Sequence, residues 1–308
     1  MLAATFASAQ TGDPKSGDMT KRGYRETDFP KIHKLAGNVY VYEMIAAPVG
    51  PDRFTTNTLF VVTNEGVLVT DGEGSAALTA QMVAEIRKIT NQPIKYVVMG
   101  SDHGDHTNGN VSYPEGVTFI AHPISKAILE GQANAPNRAP TAPKIIIPTE
   151  MVTDKKVMTL GGTEIQIQYL GRAHAGGDLV VYLPREKVLY TSEIFFNRLF
   201  PSLRRGFPTE WAEALKKVEK FDAAYFIPGH GFIDDPKTMK AEVTEFRKAM
   251  EKVISETKRF YKPGATPEQI VAAFKQADWG EYANWTYFGT MGQPAFQRAW
   301  DELDGKLK

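Results

Sequence analysis

Between Gly100 and Gly109 the chain reads Gly-Ser-Asp-His-Gly-Asp-His-Thr-Asn-Gly. Two imidazoles, His103 and His106, and two carboxylates, Asp102 and Asp105, therefore fall within five positions. Neutral imidazoles mixed with carboxylates are a nitrogen and oxygen donor set suited to zinc or another divalent metal. Gly104 and Gly109 let the backbone curl tightly enough for such donors to converge. Three more points carry the same types of side chain. His174 lies in the glycine-rich turn Gly171-Arg172-Ala173-His174-Ala175-Gly176-Gly177-Asp178, and His230 lies in Pro228-Gly229-His230-Gly231. Glu193 follows the run Val188-Leu189-Tyr190-Thr191. Four of the six histidines thus sit where an element gives way to a loop, the place where α/β folds gather functional residues. The other two read differently: His33 is lysine-flanked and exposed, while His122, before Pro123, is a hydrogen-bonded structural residue. No Gly-x-Ser-x-Gly elbow offers a serine nucleophile instead.

The elements that must position these residues follow from periodicity. Val39–Tyr42, Thr58–Val62 and Val67–Thr70 are short β-branched and aromatic runs, the last two split by Asn64-Glu65-Gly66, a hairpin signal. Helical spacing of Leu78, Met82, Val83, Ile86 and Ile89 predicts a helix over 75–89. Ile94 to Met99 (IKYVVM) is apolar but for Lys95 and is read as a strand buried on both faces, and the metal-type loop follows it directly. Further strands are expected at 118–121, 155–160, 163–169, 178–183 and 187–191, with helices at 123–131, 209–220 and 236–260. The proline-rich segment 132–149 is a loop. This alternation is an α/β architecture with helices outside sheets.

Composition narrows the classes. The chain has 308 residues, and 36 Lys+Arg balance 36 Asp+Glu, whereas a general nucleic-acid binder needs a basic excess. With no cysteine, disulfides, thiolate-held zinc, iron–sulfur clusters and a thiol nucleophile are excluded. No apolar run is long enough to span a membrane. Ala7-Ser8-Ala9 before Gln10 has the small-x-small form of a signal-peptidase site, although the first cation is Lys15. It suggests a periplasmic or secreted protein, a cytoplasmic one being the alternative. The organisation expected is a flexible arm or signal-peptide remnant over 1–29, a main domain over 30–262, and a C-terminal helical extension over 263–308 packed on it.

In this order the four elements, with Val69-Thr70-Asp71-Gly72 ahead of them, resemble the metallo-β-lactamase superfamily over roughly residues 36–235. Members carry a His-x-His-x-Asp-His loop after a buried strand, then Gly-x-x-His-Thr-x-Gly-Asp, an acidic or thiol ligand, and Pro-Gly-His-Gly. The resemblance implies an αββα sandwich, two β-sheets with helices on the outer faces, and a centre for one or two zinc ions; iron or manganese would suit the same ligands. It assigns one metal site to His103 and His174 and another to Asp105, His106 and His230. Glu193 stands at the bridging position, where Thr191-Ser192-Glu193 replaces the common Thr-Gly-Asp. The first histidine of the loop is Ser101 here, a poor zinc ligand, so the first site keeps two imidazoles. Asp102 is a candidate substitute, and Ser101 a candidate holder of a bridging water. Asp71 and Asp178 are expected to support ligands from behind.

The function so implied is hydrolysis of an ester, lactone, thioester or amide carbonyl of a small molecule by metal-activated water, with Asp105 orienting that water. Asn197–Phe207 follows Glu193 and should lie near the centre; in it Arg204 and Arg205 offer a clamp for a substrate carboxylate, or a solvated pair. Phe54 on an early loop, and Tyr287, Phe288 and Met291 from the C-terminal side, are candidates for the cleft wall. The competing readings are a catalytically degenerate metal- or ligand-binding member of the fold and an iron-dependent oxidoreductase. Iron members rely on a glutamate where His103 stands, or on the histidine that Ser101 replaces. No nucleic-acid or membrane partner is expected, and the oligomeric state is left open.

Overall fold

A computed structural model describes residues 12–46, 52–139 and 141–307; Ala7-Ser8-Ala9 lies outside the described residues. The strands are β1 (Lys31–Ala36), β2 (Val39–Ile45), β3 (Thr55–Thr63), β4 (Gly66–Thr70), β5 (Ile94–Val98), β6 (Thr118–Ala121), β7 (Glu150–Met151), β8 (Lys155–Leu160), β9 (Thr163–Tyr169), β10 (Leu179–Leu183), β11 (Val188–Tyr190) and β12 (Tyr225–Ile227). The helices are α1 (Ala76–Ile89), the single turn α2 (Gly104–Thr107), α3 (Pro123–Ala133), α4 (Pro208–Val218), α5 (Pro236–Phe260), α6 (Pro267–Gln276) and α7 (Phe288–Leu303).

Strands β1 to β7 form one sheet in chain order, and β12-β11-β10-β9-β8 form the second. Within the first, β1 to β4 pair antiparallel while β4 to β7 run parallel. In the second, only β11 and β12 are parallel. Side chains alternate between the faces of a strand, and here each face has its own core. On β10, Val181 joins Val41, Leu59 and Ile167 between the sheets, while its neighbour Val180 joins Trp211, Phe246 and Phe296 of the outer helices. On the far side of the first sheet, Val69 and Val97 pack against Met82 and Ile86 of α1. The αββα sandwich is the result. Full burial of each such side chain contributes about 1.5–3 kcal/mol.

Local signals account for the helix boundaries. Ser75 accepts a hydrogen bond from the Leu78 amide at the start of α1, and Asp235 accepts from the Lys237 and Thr238 amides at the start of α5, each satisfying orphan donors of a first turn. Past α5, helices α6 and α7 place Ile270, Met291, Phe296 and Trp300 in the same apolar cluster as α4 and α5.

Two expectations are corrected. Residues 12–29 are no flexible arm. Met19 and Phe29 pack with Phe232, the Met19 amide donates to the Arg53 carbonyl at 2.6 Å, and fully buried Arg22 grips Asp234 through two hydrogen bonds of 2.6 and 2.9 Å. The polar composition misled because this segment is held by one buried ion pair and a few apolar anchors, not by periodic burial. His33 is not free in solvent either: it lies on β1, unforeseen as a strand, with its Nε2 2.8 Å from Glu43 on the neighbouring β2.

Candidate metal centre

Six of the side chains singled out above come together where the ends of the two sheets meet. Strand β5, buried at its end though Lys95 is exposed, ends at Val98 and the chain turns into α2, whose N-cap is His103, so His103, Asp105 and His106 issue from one tight turn. His174 comes from the loop between β9 and β10, Glu193 from just after β11, and His230 from just after β12. They form two groups. Asp105, His106, Glu193 and His230 offer ligand atoms all within 4.8 Å of one another, and so do His103, His174 and Glu193. The His106 and His230 Nε2 atoms face each other at 3.2 Å, and His174 Nε2 faces His103 Nδ1 at 2.9 Å. Glu193 lies between the groups: its Oε1 is 3.2 Å from His174 and 3.4 Å from His230, its Oε2 3.0 Å from His103.

The charges explain what such a cluster attracts. Burial favours the neutral form of each group, yet for Glu193 it is overcome by the imidazoles of His174, His103 and His106, which hold the carboxyl well below its usual range. Burial works against a proton on His106 as well, but Glu193, Asp105 and Asp71 pull its pKa well up. His230 is likewise raised, to about 9, by its hydrogen bonds to Asp105 and Glu193 against the effect of burial. Anionic carboxylates with imidazoles converging on them form a pocket that demands positive charge, and its donor chemistry fits a divalent ion.

The outer nitrogens of the imidazoles separate the groups. A ligating imidazole usually donates its remote N–H to an acceptor, which fixes the ring and strengthens the ligand. His106 Nδ1 lies 3.3 Å from the Asp71 carboxylate, and His230 Nδ1 lies 3.2 Å from the Thr55 carbonyl. By hydrogen-bond geometry His106 Nδ1 and His174 Nδ1 are both buried and unpaired among the described residues, but His106 has the Asp71 carboxylate at 3.3 Å; His103 Nε2 faces the Arg205 guanidinium at 3.2 Å, a donor.

The remaining candidates have definite places. Ser101 is fully buried; its Oγ accepts from the His103 amide at 3.2 Å and donates a short hydrogen bond to Glu193 Oε2. Asp102, the candidate substitute for the missing histidine, belongs to neither group: its Oδ1 pairs with Arg205, and its Oδ2 is buried without a hydrogen-bond partner among the described residues. Asp71, with φ 54°, is a hub: it accepts from the Gly100 amide and the Tyr190 hydroxyl, each at 2.6 Å, and from Ser192 at 3.2 Å. Asp178 touches no imidazole among the described contacts. Its Oδ2 accepts from the Ala175 and Gly176 amides at 2.8 and 3.1 Å, shaping the turn after His174, and burial raises its pKa to about 7. His122 caps α3 and stacks on Tyr169 with ring centres 4.1 Å apart.

A cavity of about 380 Å³ opens over the centre, with His103, Asp105, His174, Glu193 and His230 on its floor and Phe54, Phe196, Leu199, Tyr287, Arg204 and Arg205 around it. Phe54 meets the His230 ring edge-on at 5.4 Å and the Tyr287 ring at 5.3 Å. Tyr287 adopts φ 78°, a costly backbone for an aromatic residue. Phe288 packs instead on Phe200 and Phe274, and Met291 is buried against Ser202; neither lines the cavity.

Sequence reasoning missed Tyr190, Tyr113 and Glu73. Tyr113 donates to the Asp71 carbonyl at 2.5 Å. Glu73 is buried and accepts from Thr58 at 3.3 Å, and burial pushes its carboxyl up to about 8. A carboxylate two positions after the strand-ending Asp71 was the signal available for Glu73; nothing local marks the tyrosines.

A family model of the metallo-beta-lactamase superfamily matches residues 51–230. The chain is 26% identical to a linear primary-alkylsulfatase from a Pseudomonas species, over 68% of this chain and 48% of that protein, so it spans about half the length of that relative. It is 25% identical to a metallo-beta-lactamase type 2 from Bacteroides fragilis, over 69% of this chain and 84% of that one. Among solved structures, a metallo-beta-lactamase from Pontibacter korlensis matches with TM-score 0.62 at 18% identity, covering 72% of this chain and 98% of that one. The metallo-beta-lactamase IND-7 matches with TM-score 0.61 at 20% identity, covering 72% and 97%. At these identities the structural likeness speaks for the fold.

Proposed function

The chain belongs to the metallo-β-lactamase superfamily, and from that premise we propose that it is a zinc-dependent hydrolase of a small ester, lactone, thioester or amide. Lewis-acid activation of water and of the substrate carbonyl is the chemistry a divalent ion supplies in such a donor set. The observation that carries the reading is the convergence of Asp105, His106 and His230 with acceptors behind both imidazoles, Asp71 behind His106 and the Thr55 carbonyl behind His230. Those three are the proposed ligands of the principal ion, and His103, His174 and Glu193 form a weaker neighbouring group. Asp105 is the one carboxylate of the centre with substantial exposure, 39% against 3% for Glu193, so it is the residue placed to orient an attacking water.

Around the floor, the walls divide the labour. Phe54, Phe196, Leu199 and Tyr287 give the cavity an apolar lining, and exposed Arg204 adds a cation to it. That arrangement suits a substrate with an apolar part and a negative charge, held by bidentate hydrogen bonds to the guanidinium. The alkylsulfatase and β-lactamase relatives support hydrolysis of small molecules.

Metal analysis of protein purified without added metal, combined with a hydrolysis screen, tests the proposal. His106→Ala and His230→Ala should each lose bound metal and at least ~100-fold of turnover, the loss of a principal catalytic group. Turnover that persists in metal-stripped protein would overturn it.

A further inference from the structure

The substitution of Ser101 for a third imidazole has a counterpart 104 positions away, at Arg205. Arg205 is anchored three times over. Its Nη2 pairs with the fully buried carboxylate of Asp102, its Nε donates towards His103 Nε2 at 3.2 Å, and its backbone carbonyl accepts from Arg298 of α7 at 3.0 Å. The guanidinium thus stands against the outer edge of an imidazole whose inner nitrogen lies 3.0 Å from Glu193. Arginine keeps its charge at every accessible pH. A divalent ion at His103, His174 and Glu193 would be repelled by that charge across one imidazole ring. It would also need His103 to carry its proton on Nε2, where it meets the Arg205 N–H as donor against donor.

The same group is weakened from the other side. Ser101 Oγ occupies Glu193 Oε2 with its own hydrogen bond, and among the described residues His174 Nδ1 makes no hydrogen bond, without the carboxylate that His106 has 3.3 Å away in Asp71. The geometry points to Arg205 as the resident cation of this half of the centre: it supplies the positive charge that a second ion would bring, and restricts the protein to one tightly bound ion at Asp105, His106 and His230. This inference rests on the metal-hydrolase reading above and goes beyond it by naming the residue that decides the stoichiometry. It accounts for two isolated oddities together. Asp102 is buried because it balances Arg205, and Ser101 is tolerated because the group it belongs to holds no ion of its own.

The test is calorimetric titration of the metal-free full chain with zinc. Wild type should bind one ion tightly, with any second event at least 100-fold weaker. Arg205→Gln removes the charge while keeping a donor for Asp102; it should gain a second ion at least tenfold more tightly than wild type. Arg205→Lys retains the charge and should behave as wild type, which separates charge from shape. Two ions bound by wild type with affinities within tenfold, or Arg205→Gln with unchanged second-site affinity, would overturn the inference and leave the hydrolase reading standing. Wild type binding no ion would overturn both. Far-UV circular dichroism verifies folding, and if Arg205→Gln does not fold, the wild-type stoichiometry and Arg205→Lys decide.

Discussion

His230 and His106 carry the chemical cost of metal binding, because both are drawn above the ordinary imidazole range by Asp105 and Glu193 in the metal-free protein. At neutral pH each holds a proton that an incoming ion must expel, since a ligand nitrogen has to be deprotonated. Affinity should therefore weaken as pH falls below about 9, the value for His230, by up to ~tenfold per pH unit for each proton released. Titrations between pH 6 and 9 in buffers of different ionisation enthalpy measure both the slope and the number of protons; a flat profile would contradict the assignment. The residues proposed as ligands were legible in the sequence, Asp105, His106, His174 and His230 by glycine-marked turns after strands and Glu193 only by its place after a strand. The residues that tune them were not. Arg205 reaches Asp102 and His103 across the fold, and Tyr190 reads as one more apolar strand position until its hydroxyl is found 2.6 Å from Asp71.

Glycines at the element ends set how closely the ligand loops approach. A Cβ on Gly229 would lie 2.6 Å from the Ser192 carbonyl and 3.0 Å from the Glu193 amide, so the turn bearing His230 can rest on the turn bearing Glu193 only while that position is bare. Gly229→Ala should drive the two turns apart, costing about 1–3 kcal/mol of stability and at least tenfold in metal affinity, read by thermal melting and zinc titration. Unchanged affinity would mean that the ligands move together. Most elements followed from pattern alone: the apolar spacing in α1 and α5, the alternating strands β8 and β9 and the short apolar runs of β10 and β11 lie within a few residues of expectation. The segment 12–29 escaped because its order comes from partners distant in the chain, and β1 because its lysine-rich KIHKLA run hides a strand that pairs with the adjacent β2. Arg22 finds Asp234, which in turn accepts from Asn197 at 2.9 Å, and the Asn197 amide donates to the His230 carbonyl. The N-terminal segment thereby buttresses a ligand turn more than 200 positions away.

At the scale of the whole molecule, the centre is a joint. His103, Asp105 and His106 belong to the end of the first sheet, and His174, Glu193 and His230 to the second. An ion bound at Asp105, His106 and His230 therefore ties the two halves of the sandwich, and ligand binding adds RT ln(1 + [L]/Kd), about 4 kcal/mol at a thousandfold excess over Kd. Chelation should lower the melting temperature of wild type by several degrees and leave His230→Ala unmoved; an equal response in both would argue against the joint. With net charge zero, an anionic substrate of the kind proposed would depend on a local cation such as exposed Arg204 at the cavity. Trp211 adds one more property. It is fully buried, donates from Nε1 to the Ile194 carbonyl at 2.8 Å, and lies edge-on to His174 with ring centres 5.2 Å apart. Of the four tryptophans, Trp279, Trp285 and Trp300 lie in the C-terminal region beyond α5. The molecule thus holds an indole edge-on to an imidazole of the proposed centre, and a change in emission that is lost in Trp211→Phe would report an ion reaching that half of it.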